Sequence, residues 1–527
     1  MLTFIRTFST SGAAMRTGPS YMTTTPIFYV NSSPHLGHLY SCLLADAHCR
    51  FTKLKTPEKK ILFSTGTDEH GLKVQQAASK AGVSPNIFCD DVSDKFRKLF
   101  DKCDISYTDF IRTTDDKHKD TVSQVWKSLE ARGSIYKSEY RGWYSVQEEA
   151  FVPDNSVEDR DGVMVSAETG QRLEWASEVN WMFRLSSYQD QLLSWHRGQR
   201  PVCPDMFRGQ VLAWINEGLV DLSVSRPSSR LHWGIPVPGD PDQTIYVWID
   251  ALVNYLTVAN YPGLNLWPPT VQVLGKDILK FHAIYWPAML MCLQLPLPQK
   301  LLVHCHWTVD NVKMSKSLGN VVDPNILIDK YSSDGVRYFL LREGVPHSDG
   351  NFSESSMIQL LNLELADTLG NLLNRCSSKG VNKEQIVPKY PPSFDHICSL
   401  HQDLISQLQH LRSLVEDCYE QFHFYQGCVH IMTVLRLTNQ FVQEHQPWTL
   451  KAEADQEKLK WILSTCFETL RISGILLQPV VPRLANKLLY KLGVHEDLRT
   501  WEHAVPSIDK QEGTLKQEKT VLFNKIR

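Results

Sequence analysis

Two histidines three residues apart, His35 and His38, bracket Leu36 and Gly37 just after the turn-forming run Asn31-Ser32-Ser33-Pro34. The preceding Thr25–Val30 reads as a short buried strand. Leu43, Leu44 and Ala47 continue the spacing of a helix that opens at His35. A strand, a turn and a helix start together offer free backbone N–H groups and a positive dipole end to phosphate. Imidazoles at i and i+3 share one helix face and can donate to phosphate oxygens, while Gly37 leaves room for a nucleotide beside the backbone. Much later, Lys313-Met314-Ser315-Lys316-Ser317 is followed by Leu318-Gly319-Asn320. Two ammonium groups three residues apart, with hydroxyls beside them, suit the charge that develops on a leaving pyrophosphate. Either element alone is weak. A pattern like the first arises by chance in roughly one chain in thirty of this composition, and a lone Lys-Ser cluster is by default a solvated loop. Together they suggest a nucleotide site assembled from two distant halves of the chain.

The elements that must hold such a site belong to a chain of 527 residues, three to four domains at about 150 residues each. Hydrophobic residues make up 42% and mean hydropathy is −0.26, enough to bury several cores. Lys and Arg number 55 against 58 Asp and Glu, a net charge of −3. That excludes a uniformly basic nucleic-acid coat, but not a polyanionic partner met by local charge. The most apolar runs, Ile284–Leu297 and Ile475–Leu484, are interrupted by Pro, Gln or Arg, so no membrane span is expected.

The 12 cysteines show no C-x2-C spacing, and buried free thiols in a reducing compartment are the expectation. His304, Cys305 and His306 look like a ligand cluster. On a strand their side chains alternate between faces, and no partner motif follows, so no metal site is assigned. Residues 1–20 contain Arg6, Arg16, seven Ser or Thr and no acid, the composition of an organelle transit peptide.

The two halves resemble the paired signature of class I aminoacyl-tRNA synthetases, H-L-G-H with K-M-S-K-S. The words between them resemble the methionyl-tRNA synthetase family. Thr65-Gly66-Thr67-Asp68-Glu69-His70-Gly71 is similar to its T-G-T-D-E-H-G block. Tyr246 to Tyr255 is similar to its Y-V-W-F-D-A-L word. Gly275-Lys276-Asp277-Ile278 with Phe281-His282 and Trp286-Pro287-Ala288 is similar to its G-K-D-I, F-H and W-P-A block. The leader suggests a mitochondrial member acting in the matrix.

That resemblance implies ATP-dependent ligation of L-methionine to tRNA(Met) through methionyl-adenylate, with Mg²⁺ accompanying ATP. It implies that His35, Gly37, His38, Gly275, Asp277, Lys313, Ser315 and Lys316 bind ATP. Among these His35, His38, Lys313 and Lys316 are catalytic. Asp68 and the Ile27 backbone would take the substrate ammonium. Tyr29, Trp248, Ala251, Leu252, Tyr255, Phe281, His282 and Trp286 would form the side-chain pocket, where aromatic rings suit a polarisable thioether. Asn371, Arg375, Pro447 and Trp448 match family words of the anticodon-binding region and make a plausible kit for stacking on and reading unpaired bases. Many members carry zinc-binding cysteine pairs in the insertion. Here Ser145 and Glu148 stand in that stretch, so no structural zinc is expected and the zinc-free knuckle subclass is implied.

The expected fold class is α/β. A Rossmann-like parallel-sheet catalytic domain (21–130 and 223–310) is split by a connective insertion (131–222). A K-M-S-K-S linker (311–355), an all-α anticodon-binding bundle (356–505) and a tail (506–527) follow, after the leader (1–20). The bundle is legible in Ile397, Leu400, Leu404, Leu408, Leu411, Val415, Cys418 and Phe422, spaced by three and four. Its end near Leu522–Arg527 resembles the end of the family core, which implies a monomer with no appended domain. Three rival readings remain: the cysteine enzyme of the same class, which wants a zinc thiolate site; an inactive synthetase-like RNA-binding protein, which would have lost a signature His or Lys; and an adenylating enzyme without tRNA, which the long helical last third disfavours.

Overall fold

The computed structural model describes residues 20–145, 150–152, 156–160, 162–167, 169–309, 312–314, 320–390, 398–507, 512–517 and 521–527. The expected leader, except Ser20, lies outside these residues, as do Glu148, Ser315, Lys316 and Ile397.

The chain begins with β1 (Ser20–Tyr29), α1 (Leu36–Lys55), β2 (Lys60–Asp68), α2 (Leu72–Ala81), α3 (Pro85–Lys102), β3 (Asp109–Arg112) and α4 (Asp116–Ala131). An antiparallel pair, β4 (Ile135–Ser145) and β5 (Leu173–Phe183), stays in register from end to end. Next come α5 (Gln189–Gly198), β6 (Val202–Cys203), α6 (Met206–Asn216), α7 (Val247–Val258), β7 (Val271–Gly275), α8 (Trp286–Leu293) and β8 (Leu301–His304). Six strands form one sheet in the order β3-β2-β1-β7-β8-β6, every neighbouring pair parallel. β6 comes from inside the stretch expected to be an insertion, so the sheet recruits its last edge strand from there.

The order reverses at β1, which has β2 on one side and β7 on the other, so the switch point of the sheet lies beside the α1 start. Pro26 shapes the crevice there. It cannot donate to a ladder, and the β1–β2 register shifts between Thr24 and Ile27. β1 pairs with β7 only at Thr23 and Thr24, so Ile27 to Tyr29 stay on β2 and leave their other edge open.

Beyond the sheet come β9 (Trp307–Val309), β10 (Val312–Lys313), α9 (Pro324–Glu343) and β11 (Gly350–Phe352); β9 pairs antiparallel with β10 and parallel with β11. The bundle comprises α10 (Glu354–Leu360), a π-helical stretch (Leu361–Gly370), α11 (Asn371–Ser377), α12 (Ser399–Glu420), α13 (Phe424–His445), α14 (Gln456–Leu477) and α15 (Pro482–Lys491). Leu404, Leu408, Leu411 and Val415 form the buried stripe of α12. The helix stops before Phe422, which takes φ 62° and still reaches the core. One continuous core joins α1 to the bundle. No helix of the described residues is long and apolar enough to cross a membrane.

Candidate functional site

His35 caps α1 in extended conformation, φ −133° and ψ 175°. Its Nδ1 accepts the Gly37 N–H at 3.1 Å, and Nδ1 of His38 accepts the His35 N–H at 3.1 Å. Two imidazoles thus do the work that Ser and Glu do in an ordinary capping box. Because each ring spends its Nδ1 lone pair on the backbone, the neutral form of each carries its proton on Nε2. The rings stack 3.6 Å apart. A Cβ on Gly37 would sit 3.1 Å from the His35 ring, so a glycine there gives the cap its room. Burial, then the neighbouring His35, holds His38 well below the usual histidine range. The pair is a fixed set of N–H donors rather than a titrating base.

These rings border a cavity of about 350 Å³ lined also by Ile27, Tyr29, Asp68, Gly275 and Asp277. Its apolar wall is one face of α7, where Trp248, Ala251, Leu252 and Tyr255 recur at i, i+3, i+4 and i+7. The Tyr255 hydroxyl donates to Nε2 of His282 at 2.8 Å, and His282 Nδ1–H donates to the Ile278 carbonyl at 3.0 Å. Burial lowers His282 to about 4, so it stays neutral. Phe281 and Trp286, expected in the pocket, do not line the cavity. Phe281 stacks on Trp248 with centroids 3.6 Å apart, and Trp286 is fully buried behind Tyr255. They back the wall rather than form it.

What orients α7 escaped the sequence reading. Asp250, 1% exposed, accepts from His70 Nδ1 at 2.6 Å and from His118 Nε2 at 2.7 Å. Burial alone would raise its carboxyl, but the two imidazoles outweigh it and hold the group near 2. His70 follows Asp68 by two residues at the end of β2, so this clamp sets the α7 wall against the Asp68 side of the cavity. Both Asp250 and His70 fall inside the quoted family words. Their pairing across 180 residues has no local signal.

At the end of β7, a Cβ at Gly275 would lie 2.6 Å from Asp277 Oδ1, so glycine lets that carboxylate fold back. Asp277 Oδ1 is 3.2 Å from His306 Nε2. His304 Nδ1–H donates to the Cys305 carbonyl at 2.8 Å, and its Nε2 accepts from Ser41 at 2.7 Å. With both nitrogens committed, His304 is a structural strut rather than a metal ligand. Among the described residues no group of three or more His, Cys, Asp or Glu is placed to hold a metal. Lys313 lies on β10 opposite Thr308, and Met314 reaches the cavity.

Far from the cavity, the Arg375 guanidinium sits 5.2 Å from the Trp448 ring and donates to Gln443 at 2.7 Å. Trp448 is 36% exposed, and the preceding Pro447 is buried. Asn371 is exposed one turn before Arg375 on α11. Three of the four expected base-reading residues therefore share a surface, and the fourth, Pro447, is buried.

Residues 21–163 and 162–377 match the profile of class I tRNA synthetases (M), and residues 392–527 match that of the anticodon binding domain of methionyl tRNA ligase. The chain is 49% identical over 500 residues to the mitochondrial methionine–tRNA ligase of Homo sapiens, covering 90% of this chain and 84% of that protein. It is 43% identical over 509 residues to the probable mitochondrial methionine–tRNA ligase of Schizosaccharomyces pombe, covering 94% of each. The Mycobacterium tuberculosis methionyl-tRNA synthetase in complex with methionyl-adenylate superposes with a TM-score of 0.90 at 36% identity, covering 96% of this chain and 100% of that one. With the switch-point crevice, the histidine cap and the aromatic wall already in view, these likenesses show that the chain belongs to the methionyl-tRNA synthetase family of class I ligases, alongside its mitochondrial members.

Proposed function

We propose that this chain charges tRNA(Met) with L-methionine in the mitochondrial matrix, and that His35 and His38 are its phosphate donors. The observation that carries the reading is the capping pair, whose tautomer leaves Nε2–H groups at the rim of a cavity that also holds Asp68. In the first step a methionine carboxylate oxygen bonds to the α-phosphorus of ATP. The bond to the bridging oxygen breaks, and pyrophosphate leaves. In the second step a ribose hydroxyl of the terminal tRNA adenosine attacks the adenylate carbonyl carbon and AMP departs.

No enzyme nucleophile is required, so catalysis is positioning and charge stabilisation. Asp68, with the Ile27 backbone, takes the ammonium, while Tyr29 and the α7 face enclose the thioether. Gly275 and Asp277 serve the nucleotide. Lys313 and Lys316 neutralise the leaving pyrophosphate, and Ser315 binds ATP beside them. Mg²⁺ accompanying ATP would be held mainly by the phosphates and would supply further charge stabilisation beside Lys313 and Lys316. Asn371, Arg375 and Trp448 read the anticodon. The chain acts as a monomer after losing its basic leader, and the insertion needs no zinc. The remaining boundaries follow the sequence reading: a core over 21–130 and 223–310, the linker over 311–355, the bundle over 356–505 and a tail.

Amino-acid-dependent ATP–pyrophosphate exchange across all twenty amino acids, with and without tRNA, tests this. Exchange with methionine is expected; exchange with leucine or cysteine in its place would sink the assignment.

A further inference from the structure

A short strap, residues 344–350, leaves α9 and packs behind Cys305, His306 and Trp307, three residues that line the cavity. Pro346 accepts the Cys305 N–H at 2.9 Å, and Gly350 donates to the His306 carbonyl at 2.9 Å. A Cβ on Gly350 would meet the Trp307 indole at 3.0 Å, so the strap lies flat on that ring. Between these contacts stands Asp349. Its carboxylate accepts from Lys276 at 2.7 and 3.0 Å and from the His306 N–H at 2.9 Å. His306 in turn approaches Asp277 at 3.2 Å.

We propose that Asp349 is a positioning residue for ATP: it draws the Lys276 ammonium away from Asp277 and fixes the backbone of His306 under the nucleotide. Lys276 and Asp277 are neighbours in sequence. Without Asp349, the released ammonium can turn to the carboxylate of the adjacent Asp277, which would remove an acceptor from the nucleotide site. Lys276 and Asp349 are 35% and 44% exposed, so their ion pair contributes little to folding. Its consequence is local geometry. The strap then enters β11, whose partner β9 also pairs with β10 and Lys313, so the same contact lies at the root of the cationic loop.

The inference rests on the adenylation reading, and one assay separates the two. Methionine-dependent exchange by the unaltered full chain tests the reading itself. Asp349→Ala should then raise the KM for ATP about tenfold, the scale of one charge-assisted hydrogen bond. The KM for methionine should stay within about twofold and the thermal midpoint within about 2 °C. Adding Lys276→Met to Asp349→Ala should recover at least about a third of the loss, because the misplaced ammonium is gone. An unchanged KM for ATP, an equal rise in both KM values, or strictly additive effects in the double variant would each overturn the role given to Asp349.

Discussion

Asp46 and Arg337 form an ion pair at 2.6 Å with neither side chain exposed. Asp46 lies on α1, three turns from the histidine cap, and Arg337 lies on α9. The Arg337 guanidinium also donates to the carbonyls of Pro479, Val480 and Cys103. One buried cation therefore joins the helix capped by His35 and His38, the end of α3 and the turn that closes α14. Arg50 and Ser106 complete the shell around Asp46.

Removing one partner leaves the other charge buried. Arg337→Leu should cost about 3–5 kcal/mol in urea unfolding, and Asp46→Asn added to it should cost less than the sum. Burial would raise the Asp46 carboxyl, but Arg337, Arg50 and Ser106 prevail and hold it below 3.8. Its contribution is therefore complete above 3.8 and is lost as pH falls through the lower folded value. Strict additivity of the two substitutions would argue against this pairing.

His38→Ala should lower kcat for exchange by about 10²–10³, the scale of a lost preorganised donor. Since His38 is held well below 6.5, it is neutral from that pH upward and gains a proton only in more acidic solution. The wild-type profile should lack a limb centred on 6.5 that disappears in the variant; finding one would count against a fixed donor.

Tyr255→Phe removes the donor to the buried Nε2 of His282. An unpaired buried acceptor costs about 1–3 kcal/mol. The KM for methionine should rise about tenfold while that for ATP holds, a split readable in exchange assays; no change in either would show that the pair does not shape the pocket.

Lys316→Ala should cut exchange by about a hundredfold or more, as expected for a charge that acts on the leaving group. Methionine binding measured by calorimetry should be nearly intact. Equal loss of both would refute this role.

Trp448→Ala and Arg375→Ala should each impair tRNA charging and spare exchange without tRNA. Loss of one stacking platform costs about 1–3 kcal/mol, so KM for tRNA should rise about tenfold or more. A matched fall in exchange would mean that the pair supports the bundle instead.

Local pattern was enough for much of this protein. The helix start at His35 and the stripe of α12 each follow from spacings within one element, because helix and strand periods place side chains without reference to the rest of the chain; the α7 face from Trp248 to Tyr255 came only with the family words. The resemblance carried by short words added the family and the pairing of the cavity's two halves. What the words could not carry was geometry between elements. The Asp250 clamp spans 180 residues from His70 and the Asp46–Arg337 pair joins α1 to α9. Phe281, stacked on Trp248, and Trp286, tilted against Tyr255, stand behind the wall because Trp248 and Tyr255 occupy the space nearest the cavity. The His304 nitrogens are consumed by Ser41 and Cys305, a fact invisible to ligand spacing. The sequence by itself determined which side chains were available and which faces they shared. Only the tertiary structure decided which of them meet, because burial commits each polar atom to whatever partner the packed chain brings within reach.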